Sequence, residues 1–93
     1  MKKCLKIRIC GKVQGVAMRA YTKKSADSLK IEGSVQNADD GSVVIYACGL
    51  AANLEKLLDI LYKGTSESKI EDLSAEPFVN EKDFRGVFRI IGD

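Results

Sequence analysis

Apolar and polar residues alternate along the first stretch of the chain, a pattern that predicts a half-buried β-strand over residues 4–10. Its apolar side consists of Leu5, Ile7 and Ile9, and its polar side of Lys6 and Arg8. A loop over residues 11–18 follows. No glycine or proline interrupts the next stretch, which predicts a helix from Arg19 to Lys30, with Gly33 marking its exit.

Two further alternating runs, residues 34–38 and 42–48, flank the sequence Asp39-Asp40-Gly41. An Asp-Gly pair between two such runs predicts a β-hairpin. Leucines then recur at helical spacing and predict an amphipathic helix that ends near Gly64. These leucines are Leu50, Leu54, Leu57, Leu58 and Leu61.

The remaining sequence predicts two more strands. Residues 69–77 alternate with one irregularity, residues 80–83 form a charged turn, and residues 86–91 form the closing strand. The element order is strand, helix, strand, strand, helix, strand, with one strand added at the end. This order predicts an α+β, ferredoxin-like split βαβ sandwich, in which two helices pack on one face of an antiparallel sheet of four to five strands. Residues 1–93 are expected to form a single domain.

Composition narrows the chemistry that the chain can perform. Fifteen basic and 13 acidic residues leave a net charge of +2, which is too small to favour a nucleic-acid-binding protein. Histidine is absent, so the commonest general base and metal ligand are missing. An odd number of cysteines, without short repeated spacings, argues against a disulfide framework and a zinc site. Without an apolar run that could span a membrane or serve as a signal peptide, the expected setting is a reducing cytoplasm.

The loop from Gly11 to Met18 is the first candidate site. It leaves a strand and opens a helix, where backbone N–H groups lack internal partners and the helix dipole favours an anion. Gly15 allows close approach of a ligand to the backbone. Arg19 adds a planar fork of donors suited to phosphate. Alternatively, Gly15 only serves a turn and Arg19 is a solvated surface residue.

The hairpin around Asn37 is the second candidate. Its residues alone favour an ordinary turn, in which the Asn37 amide bonds to nearby backbone. Taken together, however, the two stretches closely resemble the two signatures of the acylphosphatase family. The first signature is carried here by Gly11, Val13, Gln14, Gly15, Val16 and Arg19. The second is carried by Gly33, Val35, Asn37, Asp40, Gly41 and Val43, and the closing strand is also similar, with Phe84, Gly86, Phe88 and Ile90.

The resemblance implies a specific reaction, the hydrolysis of a carboxyl–phosphate anhydride to carboxylate and phosphate. By family similarity, Arg19 and the loop N–H groups bind the phosphoryl oxygens, and Asn37 hydrogen-bonds the attacking water. The loop comprises Gln14, Gly15, Val16, Ala17, Met18 and Arg19. No metal, cofactor or covalent intermediate is implied. The expected partner is a small acyl phosphate, phosphate or sulfate can occupy the site, and the chain is expected to be a monomer with no nucleic-acid or membrane partner.

Proteins of other functional classes share this fold and provide alternative hypotheses. A degenerate member of the same family would bind anions without turnover. An RNA-binding module of the same fold would need stacking aromatics on its first and third strands, and only Tyr46 is available there. Cys4 and Cys10 stand at opposite ends of one predicted strand, which suits incidental thiols better than metal ligands. The family usually has aromatic residues at the positions of Met18 and Ser34.

Overall fold

A computed structural model describes residues 2–79 and 84–92 of the 93-residue chain. The predicted charged turn at residues 80–83 lies outside the described residues. The strands are β1 (Lys2–Lys12), β2 (Glu32–Asn37), β3 (Val43–Leu50), β4 (Lys69–Pro77) and β5 (Phe88–Ile91), and the helices are α1 (Met18–Ser28) and α2 (Ala51–Lys63). Each predicted strand and helix within these residues is present, with shifts of a few residues at its ends.

The strands form one five-stranded sheet in the order β4-β1-β3-β2-β5. The first four strands pair antiparallel, as the ferredoxin-like α+β prediction requires. The sheet is mixed rather than wholly antiparallel, because the edge strand β5 lies parallel to its neighbour β2. The predicted irregularity of β4 is a bulge at Glu71, since Cys10 pairs with Asp72 and the next residue, Gly11, pairs with Ile70.

Both helices pack against the sheet face that carries the apolar side of β1, β2 and β3. Ile7, Ile9, Val35, Val43 and Ile45 on that face are fully buried. The predicted leucine stripe of α2 supplies Leu54, Leu57 and Leu61 to the same core. Helix α1 buries Met18, Thr22 and Ala26, whereas Tyr21 and Leu29 pack at the margin of the core.

Gly33 does not mark the exit of α1, because it lies inside β2. Its φ of +148° and its close approach to β3 exclude a side chain, since a Cβ there would collide with the carbonyl oxygen of Tyr46. The next residue, Ser34, is 6% exposed although it is small and polar. The position of the missing family aromatic is therefore covered by neighbouring residues.

The cysteines contradict the sequence prediction. Cys4 on β1 and Cys48 on β3 face each other in the strand register and form a disulfide, and Cys10 remains free. The cysteine spacing in the sequence does not predict this pair, because the partners are 44 residues apart and meet only when β1 pairs with β3. Disulfides are rare in a reducing cytoplasm. The pair therefore removes the support that cysteine usage gave to the cytoplasmic prediction.

Opening this disulfide is expected to destabilise the fold. A crosslink across 44 residues restricts the unfolded chain, and the chain-entropy model gives about 4 kcal/mol, with about 2–4 kcal/mol typical of measured cases. Urea unfolding with and without a reducing agent, beside Cys10→Ala under oxidising conditions, measures the loss. An unfolding free energy that is identical in both redox states, with the thiols confirmed as reduced by titration, would contradict this expectation.

Candidate active site

The loop between β1 and α1 is fixed by two buried valines and shaped by two left-handed residues. Val13 and Val16 are 1% and 5% exposed, and they anchor the loop in the core. Gly15 has a φ of +74° with open space around its Cα, and Ala17 has a φ of +62° immediately before α1. Left-handed residues at these two places turn the backbone so that successive N–H groups can face a common centre.

Those N–H groups have no protein acceptor among residues 2–79 and 84–92. Within the described residues, none of the N–H groups from Gly15 to Arg19 donates a hydrogen bond to backbone or side chain, and the first capping bond of α1 runs from the Tyr21 N–H to the Ala17 carbonyl, 3.0 Å away. Helix α1 also has no side-chain N-cap and no acidic residue in its first turn. The loop is thus a cluster of free donors at the positive end of a helix dipole, which suits an anion.

Arg19 occupies the first turn of α1, and a distant strand holds its side chain. Its Nη1 donates a hydrogen bond to the carbonyl of Ile91 on β5, at 3.0 Å. Gly92 lies so close that a Cβ there would be 3.5 Å from the same nitrogen. No ion pair to Arg19 is present in the described part of the chain. The guanidinium is therefore oriented by a neutral acceptor, and no carboxylate of the described residues competes with a ligand for it.

Asn37 is the last residue of β2, directly before the hairpin turn. The turn is closed by the Ala38 N–H, which donates to the Ser42 carbonyl at 2.8 Å. The Asn37 amide takes no part in it, since its Oδ1 is buried and has no hydrogen-bond partner among the described residues. A turn asparagine usually bonds to nearby backbone, and this one does not. An unpaired buried polar atom costs about 1–3 kcal/mol and requires an explanation.

The structure brings the two predicted residues together. Arg19 and Asn37 line one surface pocket of about 220 Å³, whose remaining lining is mostly small or apolar. These other residues are Val13, Gly15, Ala17, Met18, Ala20 and Ile90. Met18 forms part of the buried floor, at 1% exposure, so methionine fills the place of the family aromatic. The pocket thus joins a fixed cation, free loop donors and an unpaired amide.

Gln14 has a contact that the sequence analysis missed. Its Nε2 donates to the carbonyls of Ala38 and Ser42, at 2.8 and 2.9 Å. The side chain therefore ties the loop to the hairpin that carries Asn37. A second tie comes from Thr65, whose Oγ1 donates to the Val16 carbonyl at 2.9 Å. The motif named Gln14 as a loop member, but only the pairing of β1, β2 and β3 shows which backbone its amide reaches.

Removing the Gln14 amide is expected to loosen the pocket without removing any group from it. Gln14→Ala loses two hydrogen bonds and is expected to lower the free energy of unfolding by about 1–2 kcal/mol. Because Asn37 then has a less fixed position, kcat is expected to fall by about tenfold with a smaller change in KM. Gln36→Ala removes an exposed amide from the neighbouring strand position and serves as the control. A Gln14→Ala variant with unchanged kcat would contradict the positioning role.

The hairpin turn that follows Asn37 carries a charged network. Arg8 Nη1 donates to Ser42 Oγ at 2.7 Å and pairs with Asp40 Oδ2 at 3.1 Å. The pKa of Asp40 lies below its usual value, first because the Ser42 hydroxyl and N–H donate to it, and to a lesser extent because Arg8 is near. Asp40 is therefore an ionised turn residue near neutral pH, and its oxygens are engaged in fixing the hairpin.

Two larger depressions, of about 310 and 300 Å³, lie around Lys6 and Arg8 on the other face of the sheet. Asn37 also lines the larger of the two, but neither is lined by Arg19 or by the loop between β1 and α1, so size alone does not identify the site. Over residues 2–79 and 84–92, no group of three or more carboxylate or cysteine side chains is arranged to hold a metal ion. The same residues contain no helix with the length and apolar character needed to cross a membrane.

Comparisons with known proteins agree with this geometry. The sequence model of the acylphosphatase family matches residues 5–90. An acylphosphatase of Thermotoga maritima is 43% identical over 74 residues, which cover 80% of this chain and 82% of that protein. An acylphosphatase of Clostridium acetobutylicum is 38% identical over 85 residues, covering 88% of this chain and 93% of that protein.

The fold is also similar to that of an acylphosphatase of known structure. The crystal structure of acylphosphatase from Bacillus subtilis superposes with a TM-score of 0.90 at 32% identity, covering 99% of this chain and 100% of that one. The family match spans both the loop of Arg19 and the hairpin of Asn37. The chain therefore belongs to the acylphosphatase family, whose members are hydrolases that act on acyl phosphates.

Proposed function

We propose that this chain hydrolyses small acyl phosphates in the pocket lined by Arg19 and Asn37, with the roles that the family resemblance suggests. One observation carries the proposal: a fixed arginine, a cluster of loop N–H donors and the Asn37 carboxamide line the same pocket, and neither the donors nor Asn37 Oδ1 have a partner in the described part of the chain. An ordinary surface turn would have satisfied these groups locally.

The phosphoryl group is held by the loop and by Arg19. The N–H groups of residues 14–19 donate to its non-bridging oxygens, and the free edge of the guanidinium donates to one or two of them. The bond from Arg19 Nη1 to the Ile91 carbonyl fixes the guanidinium plane before substrate arrives. Preorganised donors of this kind stabilise the charge on the phosphoryl oxygens as the transition state develops.

Asn37 orients the water that attacks phosphorus. Its carboxamide can accept a hydrogen bond from that water and cannot remove a proton from it near neutral pH. The new bond forms between the water oxygen and phosphorus, and the bond from phosphorus to the bridging oxygen breaks, with its electron pair leaving on the carboxylate. The water proton passes to a phosphoryl oxygen of the substrate.

The absence of histidine is compatible with this reaction. A carboxylate is a good leaving group, and phosphoryl transfer proceeds through a loose transition state in which the nucleophile needs little activation. Positioning and charge stabilisation therefore supply the rate. The proposal requires no metal or cofactor and assigns the whole pocket to one chain folded as a single domain, so a monomer is sufficient. Cytoplasmic location stays a prediction from the sequence.

The decisive experiment is hydrolysis of benzoyl phosphate by the purified protein in the presence of a chelator, followed by loss of ultraviolet absorbance. The proposal expects turnover that inorganic phosphate or sulfate inhibits by competition. The rival function, a degenerate domain that binds anions, would bind phosphate in a calorimeter and hydrolyse nothing. A folded protein without turnover would therefore refute the proposed function.

A further inference from the structure

The pocket has an apolar side that phosphoryl binding does not use. Val13 and Met18 form its buried floor, whereas Ala17, Ala20 and Ile90 are exposed on its wall. Ile90 is 40% exposed, and exposing a large branched side chain at the mouth of a phosphate site gives no benefit to an anion. This wall is a surface on which the acyl group of the substrate can pack.

The sheet register explains why Ile90 reaches the pocket. In the parallel pairing of β5 with β2, Ile90 lies beside Val35, two residues before Asn37. Phe88, two residues earlier on β5, points to the same side and is 2% exposed, because it lies over the core. Ile90 is the next residue of β5 on this side, and it lies beyond the edge of the core. Its side chain therefore projects into the pocket beside Arg19 and Asn37.

Resting on the proposed function, we propose that Ile90, together with Ala20, forms a subsite for the acyl group and selects substrates whose acyl chain is uncharged and apolar. An acyl phosphate bends at its bridging oxygen and again at its carbonyl carbon, so the chain leaves the in-line axis and can lie along the pocket wall. Arg19 is the single charged residue that lines the described pocket, and the phosphoryl group uses it. The acyl side therefore meets methyl and methylene groups.

Two substrates test the subsite. Acetyl phosphate has only a methyl group beyond its carbonyl, whereas benzoyl phosphate has a ring that can cover Ile90. The ratio of kcat/KM for benzoyl phosphate to that for acetyl phosphate is expected to fall about fivefold in Ile90→Ser, because part of a buried apolar contact is lost. Ile90→Leu is expected to retain the wild-type ratio. Val87→Ser is the matched control, since Val87 is 43% exposed and lies outside the pocket.

The outcomes are separable. A lower ratio in Ile90→Ser, with acetyl phosphate turnover, Val87→Ser and Ile90→Leu unaffected, supports the subsite. An unchanged ratio in Ile90→Ser overturns it, as does an equal fall for both substrates or an equal effect in Val87→Ser. In each of these cases the wild-type protein still hydrolyses acetyl phosphate, so the proposed function stands. Failure of the wild type on both substrates would instead refute the proposed function.

Discussion

Arg19→Ala is expected to lower kcat/KM for acyl phosphate hydrolysis by about 10³-fold or more, the range found when a phosphoryl-binding arginine is removed. The pocket keeps its loop donors in this variant but loses its one lining charge. Because the side chain is half-buried and makes one hydrogen bond among the described residues, to the Ile91 carbonyl, the melting temperature is expected to change little. Steady-state kinetics and thermal unfolding measure the two effects separately.

Two further variants define what Arg19 contributes. Arg19→Lys keeps the positive charge but not the planar fork, so it is expected to recover only part of the lost rate. Arg89→Ala makes the same change of charge on β5, at a residue outside the pocket, and is expected to retain full activity. Wild-type kcat/KM in Arg19→Ala would exclude phosphoryl binding by this residue. Equal losses in Arg19→Ala and Arg89→Ala would point to a general effect of net charge instead.

Asn37→Ala is expected to lower kcat by about 10²–10³-fold, the usual cost of deleting one preorganised polar group from an active site. KM is expected to change much less, because in the proposed mechanism the amide contacts the attacking water and not the phosphoryl group. The fold is expected to be at least as stable as the wild type. The reason is that Asn37 Oδ1 is buried with no partner in the chain as described, and its removal ends a desolvation cost of about 1–3 kcal/mol.

The combination of lower activity with equal or higher stability distinguishes a catalytic from a structural asparagine. A structural Asn37 would lose stability on substitution, as a turn residue does when its backbone bonds are removed. Asn53→Ala deletes the same amide from α2, away from the pocket, and controls for the chemistry of the substitution. A large rise in KM with unchanged kcat would contradict the role in water orientation and assign Asn37 to substrate binding.

Much of the fold followed from local patterns. The alternation in residues 4–10 predicts one buried face of a strand, and the leucine spacing of α2 predicts one buried face of a helix. Because that face must pack against the core, the pattern also predicts the orientation of the element. The sequence Asp39-Asp40-Gly41 likewise predicted the hairpin, because its turn chemistry is local. The candidate pocket followed from a resemblance, and the structure brings Arg19 and Asn37 to one place. Their roles stay predictions that the variants above test.

The rest depended on which residues meet across the sheet. The bond of Cys4 to Cys48 arises from the register of β1 with β3, and the reach of Gln14 to the hairpin carbonyls arises from the approach of three strands. The parallel placement of β5 is also non-local, since periodicity gives the faces of a strand but not its neighbour. These contacts join residues more than 20 positions apart, and no single-segment pattern encodes them.

The bond between Arg19 and the Ile91 carbonyl couples ligand binding to the most weakly held part of the sheet. Strand β5 has four residues and pairs on one side only, so its local opening costs less free energy than global unfolding. Each opening releases the guanidinium from the orientation that an anion needs. An anion that binds the closed form must therefore, by mass action, slow amide hydrogen exchange in β5. The rise in the free energy of strand opening that the anion causes therefore reports the affinity of the anion for the closed form.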